Sequence, residues 1–360
     1  MKQFYILFLF ITSIGFAQIP TNYYDSATGS GYILKTQLKT IVTAGHIDNG
    51  YTLLYTGYLT TDNDTFYEND NTVLDMYSEN PAGTDPYNYD HSVRNCGSYN
   101  SEDDCYNREH IFPQGFFNSL TPMRTDIHHV VPSDGYVNSR RSNFPFGEIS
   151  SPTWTSLNGS KVGSNTYPGY IGTVFEPIDE FKGDIARMLL YFAVRYEDEV
   201  TSGTWDAHNS VPENTLDGTN DQVYETWYIN LLYSWHLNDP VSTRETVRNN
   251  AAYNYQGNAN PFIDHPEYVL NIWGNVLSSS KYDNISNISM YPNPVKTDFV
   301  YFSATQDVDV LIYDVLGKQV LIENLTPSKD FINVSNLNKG IYLVKLNSSQ
   351  GTTTKKLIKQ

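Results

Sequence analysis

The chain has 360 residues, 39% of them hydrophobic, with 29 tyrosines and a formal net charge of −17. That length gives room for a large core and two domains, and the charge excludes binding of nucleic acid through a broad basic face. Over residues 18–287 the imbalance deepens to 14 Lys and Arg against 34 Asp and Glu, so any contact with a polyanion there is local.

The first seventeen residues carry Lys2, an apolar run over 4–11, and the small residues Gly15 and Ala17 ahead of Gln18. This pattern predicts a signal peptide over residues 1–17, too short to persist as a membrane anchor. No later stretch is long and apolar enough to span a bilayer, so a soluble exported protein is expected. Export into an oxidising compartment in turn predicts a disulfide between the two cysteines, Cys96 and Cys105.

Residues 33–44 have the spacing of a first helix, and 73–77 (Val-Leu-Asp-Met-Tyr) read as a strand. Residues 106–131 read as short strands around a loop. Asp134-Gly135 then reads as a turn opening a helix that carries Asn138 and Arg141. Three further helices follow. Residues 183–199 place Ile185, Leu189, Phe192 and Tyr196 on one stripe; 222–236 do the same with Tyr224, Trp227, Leu231 and Trp235. Residues 242–252 open on Ser242-x-x-Glu245, a capping box after Pro240. These aromatic stripes are core rather than ligand pockets. A polar, Ser-rich stretch over 276–287 reads as a linker. Beyond it, residues 288–360 carry 8 Lys against 6 Asp and Glu and alternate like short strands, at 308–313, 319–321, 340–346 and 355–359. The expected class is α+β over residues 18–275, followed by a small all-β sandwich.

Chemistry concentrates between Cys105 and Glu148, which hold three of the eight histidines together with arginines, carboxylates and amides. Hydrolysis of a phosphodiester needs a base for water, charge neutralisation at phosphorus and help for the leaving oxygen. A hard cation supplies the last two. Glu109 and Asn138 offer the oxygen ligands that Mg²⁺ prefers, with Mn²⁺ or Ca²⁺ as substitutes. His110 titrates near working pH and is the candidate base. Glu109 and His110 are neighbours, so on a regular strand they point to opposite faces, and a shared site requires a strand end or twist. Arg141 and Arg124 are candidates to hold phosphate in catalysis. Arg108 is a further substrate contact, as are Asp126 and His128, whose alternation places them on one face of a strand. Taken singly, a Glu-His pair or a His-His pair is ordinary; the joint pattern carries the reading.

Three runs make that pattern specific: Tyr106-Asn107-Arg108-Glu109-His110-x-x-Pro113-Gln114, Asp126-Ile127-His128-His129-Val130-x-Pro132, and Asp134-Gly135-x-x-Asn138-x-x-Arg141-Ser142-Asn143. Together with Lys182-Gly183-Asp184, Trp235-His236-Leu237 and Gln256-Gly257-Asn258-x-Asn260-Pro261-Phe262, they resemble the endonuclease I family over roughly residues 30–275. The resemblance implies a ββα-metal core with added helices, a secreted and largely sequence-nonspecific nuclease acting on DNA, with RNA as a second substrate, and 5′-phosphate products. It also implies His110 as general base and Glu109 and Asn138 as ligands of Mg²⁺. The 256–262 run looks like a structural seam. Met290-Tyr291-Pro292-Asn293-Pro294, Ile312-Tyr313-Asp314 and Leu337-x-x-Gly340-Ile341-Tyr342 resemble the C-terminal sorting domain of the type IX secretion system, which implies that machinery as partner and a secreted or cell-surface destination. Two rival readings stand beside this one. The first is a zinc hydrolase using His110, His128 and His129, awkward because adjacent histidines on a strand diverge. The second is a non-catalytic surface binding protein, favoured by the acidity.

Overall fold

A computed structural model describes residues 18–200, 215–279, 288–304, 307–315, 317–348 and 351–360. The proposed signal peptide and most of the proposed linker lie outside them. The chain divides into two compact units, residues 1–273 and 274–360.

In the first unit the centre is a strand–loop–strand–helix. Strand β1 (Tyr106–His110) pairs antiparallel with β2 (Val130–Asp134), bringing Glu109 opposite Val131 and His110 opposite Val130. Helix α3 (Gly135–Arg141) follows β2 without a loop. It starts there because Asp134 caps it, accepting from the Val137 amide. The same carboxylate also takes Tyr89 Oη–H and the Asp103 amide, so the helix start is fixed from three sides.

Ahead of this core lie α1 (Gly31–Thr43) and α2 (Leu54–Thr61). The first matches the expected helix, whereas α2 has no counterpart in the sequence reading. Residues 73–77 are not a strand: they make one bridge, Val73 to Asn63, and then turn. The buried Asp75 carboxylate is the cause. It accepts from Tyr77 N and from Asp134 N, bending the segment and tying it to the hairpin. After α3 comes a small antiparallel sheet that the sequence reading also lacked, β3 (Pro152–Thr155), β4 (Lys161–Ser164) and β5 (Thr173–Glu176).

Helix α4 (Lys182–Arg195) is buried on every face, not along one stripe. Its charged residues survive burial because they are paired: Arg187 with Glu245, and Asp184 with Arg244. Helix α5 (Thr226–Asn238) begins four residues later than expected, since Val223 sits at φ +71° and interrupts any earlier turn. Helix α6 (Thr243–Gln256) carries the full capping box, with Ser242 and Glu245 exchanging side-chain and backbone bonds. The short α7 (Pro261–Asp264) leads to α8 (Tyr268–Ser279). The linker expected from residue 276 therefore starts too early: the stripe Val269, Ile272, Trp273 continues helically to Leu277.

The second unit is all β. Strands β6 (Met290–Tyr291), β7 (Phe299–Phe302) and β10 (Phe331–Asn333) form one sheet in the order β10-β7-β6. Strands β8 (Val308–Tyr313), β9 (Gln319–Leu325), β11 (Gly340–Ser348) and β12 (Gly351–Lys359) form the other in the order β12-β11-β8-β9. Alternate residues of both, among them Val300, Phe302, Val310, Ile312, Val344 and Leu346, meet in one apolar core.

Candidate active site

Arg141 braces the end of the strand that carries Glu109 and His110. Its Nη2 donates to Ile111 O at 2.6 Å and its Nη1 to His110 O at 3.4 Å, so the guanidinium caps the carbonyls where β1 ends. Its Nε lies 3.3 Å from Glu109 Oε1, an ion pair without hydrogen-bond alignment. Tyr77 Oη–H donates to the same oxygen at 3.1 Å. Glu109 is 2% exposed; burial pushes its carboxyl up, while Arg141 and Tyr77 pull it down. Arg141, equally buried, is a brace for the strand end, and the structure does not present it as the phosphate-facing group that its spacing from Asn138 suggested.

His110 lies on the other side of the strand end. Its Nε2 is 3.2 Å from Arg124 O. A carbonyl only accepts, so Nε2 carries the proton and Nδ1 holds the free lone pair. Burial, then His129, Arg124 and Arg108, depress its pKa well below the ordinary histidine value, so the imidazole is neutral. Tyr51 stacks beside it, ring centres 6.0 Å apart at 25°.

Two arginines flank that tyrosine. The Arg108 guanidinium carbon lies 3.6 Å from the Tyr51 ring centre and that of Arg124 lies 4.0 Å away, while Arg108 Nη1 also donates to Tyr51 O. Both side chains are half-buried, and in both Nε has no hydrogen-bond partner. They are the cations that a local patch on an acidic protein requires. Tyr51 is a residue that sequence reasoning missed. Nothing local marks it, since it reaches the site from a 3₁₀ turn (Tyr51–Leu53) some sixty positions before His110.

Asn138 projects from α3 and is half-buried. Its hydrogen bonds use the nitrogen: Nδ2 donates to Asn107 Oδ1 at 2.8 Å and more weakly to Arg108 O at 3.4 Å. The amide is thereby oriented with Oδ1 as the atom left to coordinate.

Asp126 and His128 are placed elsewhere. They sit in a turn, not on a strand, because the Asp126 carbonyl takes the amides of His129 and Val130 and its Oδ1 that of His128. Asp126 is fully buried and accepts from Tyr191 and Tyr196 hydroxyls and from Gln256 Nε2. His128 is 2% exposed and its Nε2 pairs with Asn258 O. The structure thus assigns both to the seam with α4 and the 256–262 run, not to a substrate face. The zinc arrangement fares no better. His110, His128 and His129 send their Nε2 atoms to three different carbonyls, of Arg124, Asn258 and Met123.

The expected disulfide is present. Cys96 and Cys105, Cα atoms 5.8 Å apart, join just ahead of β1, and Cys96 N donates to Tyr106 O.

Residues 30–267 match the family Endonuclease I, which is two thirds of the chain. The chain belongs to the endonuclease I family. This endonuclease I chain is 35% identical to an extracellular ribonuclease of Bacillus amyloliquefaciens over 255 residues, 70% of this chain and 78% of the relative. It is 34% identical to an extracellular ribonuclease of Bacillus subtilis (strain 168) over the same shares. An Endonuclease-1 of Buchnera aphidicola is 24% identical over 141 residues, 39% of this chain and 46% of the relative. Residues 289–360 match the secretion system C-terminal sorting domain. The protein is therefore a secreted or cell-surface nuclease, a hydrolase and not a passive binding protein.

Proposed function

We propose that the protein is a metal-dependent endonuclease that cuts both DNA and RNA by direct attack of water. The observation that carries the proposal is the His110 tautomer: Nε2 is committed to Arg124 O, and Nδ1 is left as a lone pair on a neutral ring flanked by Arg108 and Arg124. His110 Nδ1 takes a proton from water as its oxygen attacks phosphorus. The new P–O bond forms in line with the departing P–O3′ bond; O3′ leaves with the bonding pair and takes a proton from solvent water, and the products are a 5′-phosphate and a 3′-hydroxyl. Because the nucleophile is water, no 2′-hydroxyl is needed, which is why both nucleic acids are accepted. The relatives named as ribonucleases and as an endonuclease support that breadth.

A divalent metal fits the donor set, since Glu109 and Asn138 present hard oxygens and the nitrogen of Asn138 is tied away. Bound there, Mg²⁺, or Mn²⁺ or Ca²⁺ in its place, supplies positive charge to the phosphoryl and 3′ oxygens. Arg108 and Arg124 hold the phosphate, and Tyr51 keeps their guanidiniums apart and His110 in plane. We assign residues 1–17 to export, 18–275 to catalysis and 288–360 to type IX secretion machinery.

The experiment is cleavage of supercoiled plasmid and of single-stranded RNA with Mg²⁺, with EDTA, and by His110→Ala. Loss of cleavage of both substrates in EDTA and in the variant is expected. Near-normal cleavage by folded His110→Ala would remove His110 from its role.

A further inference from the structure

Buried carboxylates in this fold come with partners. Asp62 pairs with Arg248, Glu109 with Arg141, Glu176 with Lys182, Asp184 with Arg244, Glu197 with Lys35 and Glu245 with Arg187. Asp75, Asp126 and Asp134 are met by backbone amides and tyrosine hydroxyls. Among the described residues, one group breaks the rule. Oxygens of Asp64, Glu68 and Glu79 all lie within 4.8 Å of one another. Asp64 is 2% and Glu79 1% exposed, and Glu68 is half-buried.

The unpartnered atoms point to a ligand. Asp64 Oδ2, Glu68 Oε2 and Glu79 Oε1 are each buried without a hydrogen-bond donor. Asp64 spends its other oxygen on the amides of Phe66 and Tyr67, which leaves Oδ2 turned inward. Among the described residues none of the three has a Lys or Arg at ion-pair distance, and the sequence has neither residue between Lys39 and Arg94. Burial of carboxylates without a compensating charge is strongly unfavourable, so something positive belongs at the centre of the triad.

We propose that Asp64, Glu68 and Glu79 form a structural Ca²⁺ site, separate from the catalytic one and not used in the reaction. The geometry suits the ion: oxygens at about 2.4 Å on opposite sides of Ca²⁺ stand roughly 4.8 Å apart. Three carboxylates from a loop give the flexible, anionic oxygen cage that Ca²⁺ accepts, whereas Mg²⁺ dehydrates reluctantly and demands octahedral order. The effect of the ion is to fix the 64–85 segment, whose Asp75 holds the β2–α3 junction through the Asp134 amide.

The test is a Ca²⁺ titration of the EDTA-stripped full chain, read by calorimetry and by melting temperature, for wild type, Glu68→Gln, Glu79→Gln and Asn138→Ala. At a hundredfold excess over the dissociation constant, Ca²⁺ should raise the wild-type midpoint by about 5–10 °C. Asn138→Ala, which removes a ligand of the proposed catalytic cation, should keep that rise while losing nuclease activity, so the two readings fail separately. Glu79→Gln should lose the rise, and in EDTA it should melt at or above wild type because a repelling carboxylate is gone. Half-buried Glu68→Gln should weaken Ca²⁺ binding at least tenfold, with Mg²⁺-dependent cleavage unchanged. No rise in wild type, a rise that survives both glutamine variants, or a rise abolished only by Asn138→Ala would each overturn the proposal.

Discussion

Two polar regions of the first unit do opposite things. The rim of the site (His110, Arg108, Arg124, Asn138, Tyr51) keeps unspent valences: His110 Nδ1, the Nε atoms of Arg108 and Arg124, and the amide oxygen of Asn138, whose nitrogen alone is bonded. The seam (Asp126, His128, Tyr191, Tyr196, Gln256, Asn258) is wholly buried, and its donors and acceptors answer one another. Both contain His, Asn and Tyr, joined by two arginines at the rim and by Asp126 and Gln256 in the seam. What separates catalysis from architecture here is whether a side chain's hydrogen-bonding capacity closes inside the fold.

The comparison breaks if the wrong region controls the wrong property. His110→Ala should lower kcat/KM by roughly 10²–10⁴-fold, measured on plasmid and RNA, with the melting temperature little changed. Asn138→Ala should lower cleavage by about 10²-fold, partly restored by raised Mg²⁺, since it weakens a ligand and leaves the base intact. In the seam the sign reverses. Asp126→Asn puts an amide where the carboxylate accepts from four donors and should cost roughly 2–3 kcal/mol in denaturant unfolding. Its kcat at temperatures below the transition should stay within twofold of wild type. A large drop in kcat with unchanged stability would return Asp126 to the site. Arg124→Ala should raise KM about tenfold and flatten the salt dependence of binding by about one unit of slope.

How much of this was legible follows the range of the forces involved. Local signals were read directly: the Asp134-Gly135 turn that opens α3, the Ser242/Glu245 box before α6, the β alternation after residue 288. Signals that depend on distant partners were not. Arg141 shares a helix face with Asn138, so spacing alone sends it to the phosphate. Only the placement of the Ile111 and His110 carbonyls turns it into a strand brace. Asp126-x-His128 alternates like a strand but is bent by its own carboxylate. The serines near residue 278 resemble a linker, yet an apolar stripe carries the helix through them. Strand β3 is largely exposed and offered no buried alternation to read.

The smallest expected effect sharpens the account of the rim. Burial and the cationic neighbours Arg124 and Arg108 disfavour protonation of His110, and so does charge on His129. A base works when neutral, and its pKa is depressed in the folded enzyme, so activity is present above that pKa and is lost only as pH falls through it. Any cation held by Glu109 and Asn138 acts in the same direction. The acid limb of kcat/KM therefore lies below the ordinary histidine value of about 6.5, and between pH 6.5 and 8 the change should be under twofold. Replacing Arg124 by Ala removes one of the depressing charges but leaves the carbonyl that holds Nε2, so the acid limb should move up while the tautomer is kept. A wild-type limb centred at or above 6.5 would mean that the ring is solvated and unconfined, and the rim would then differ from the seam in name only.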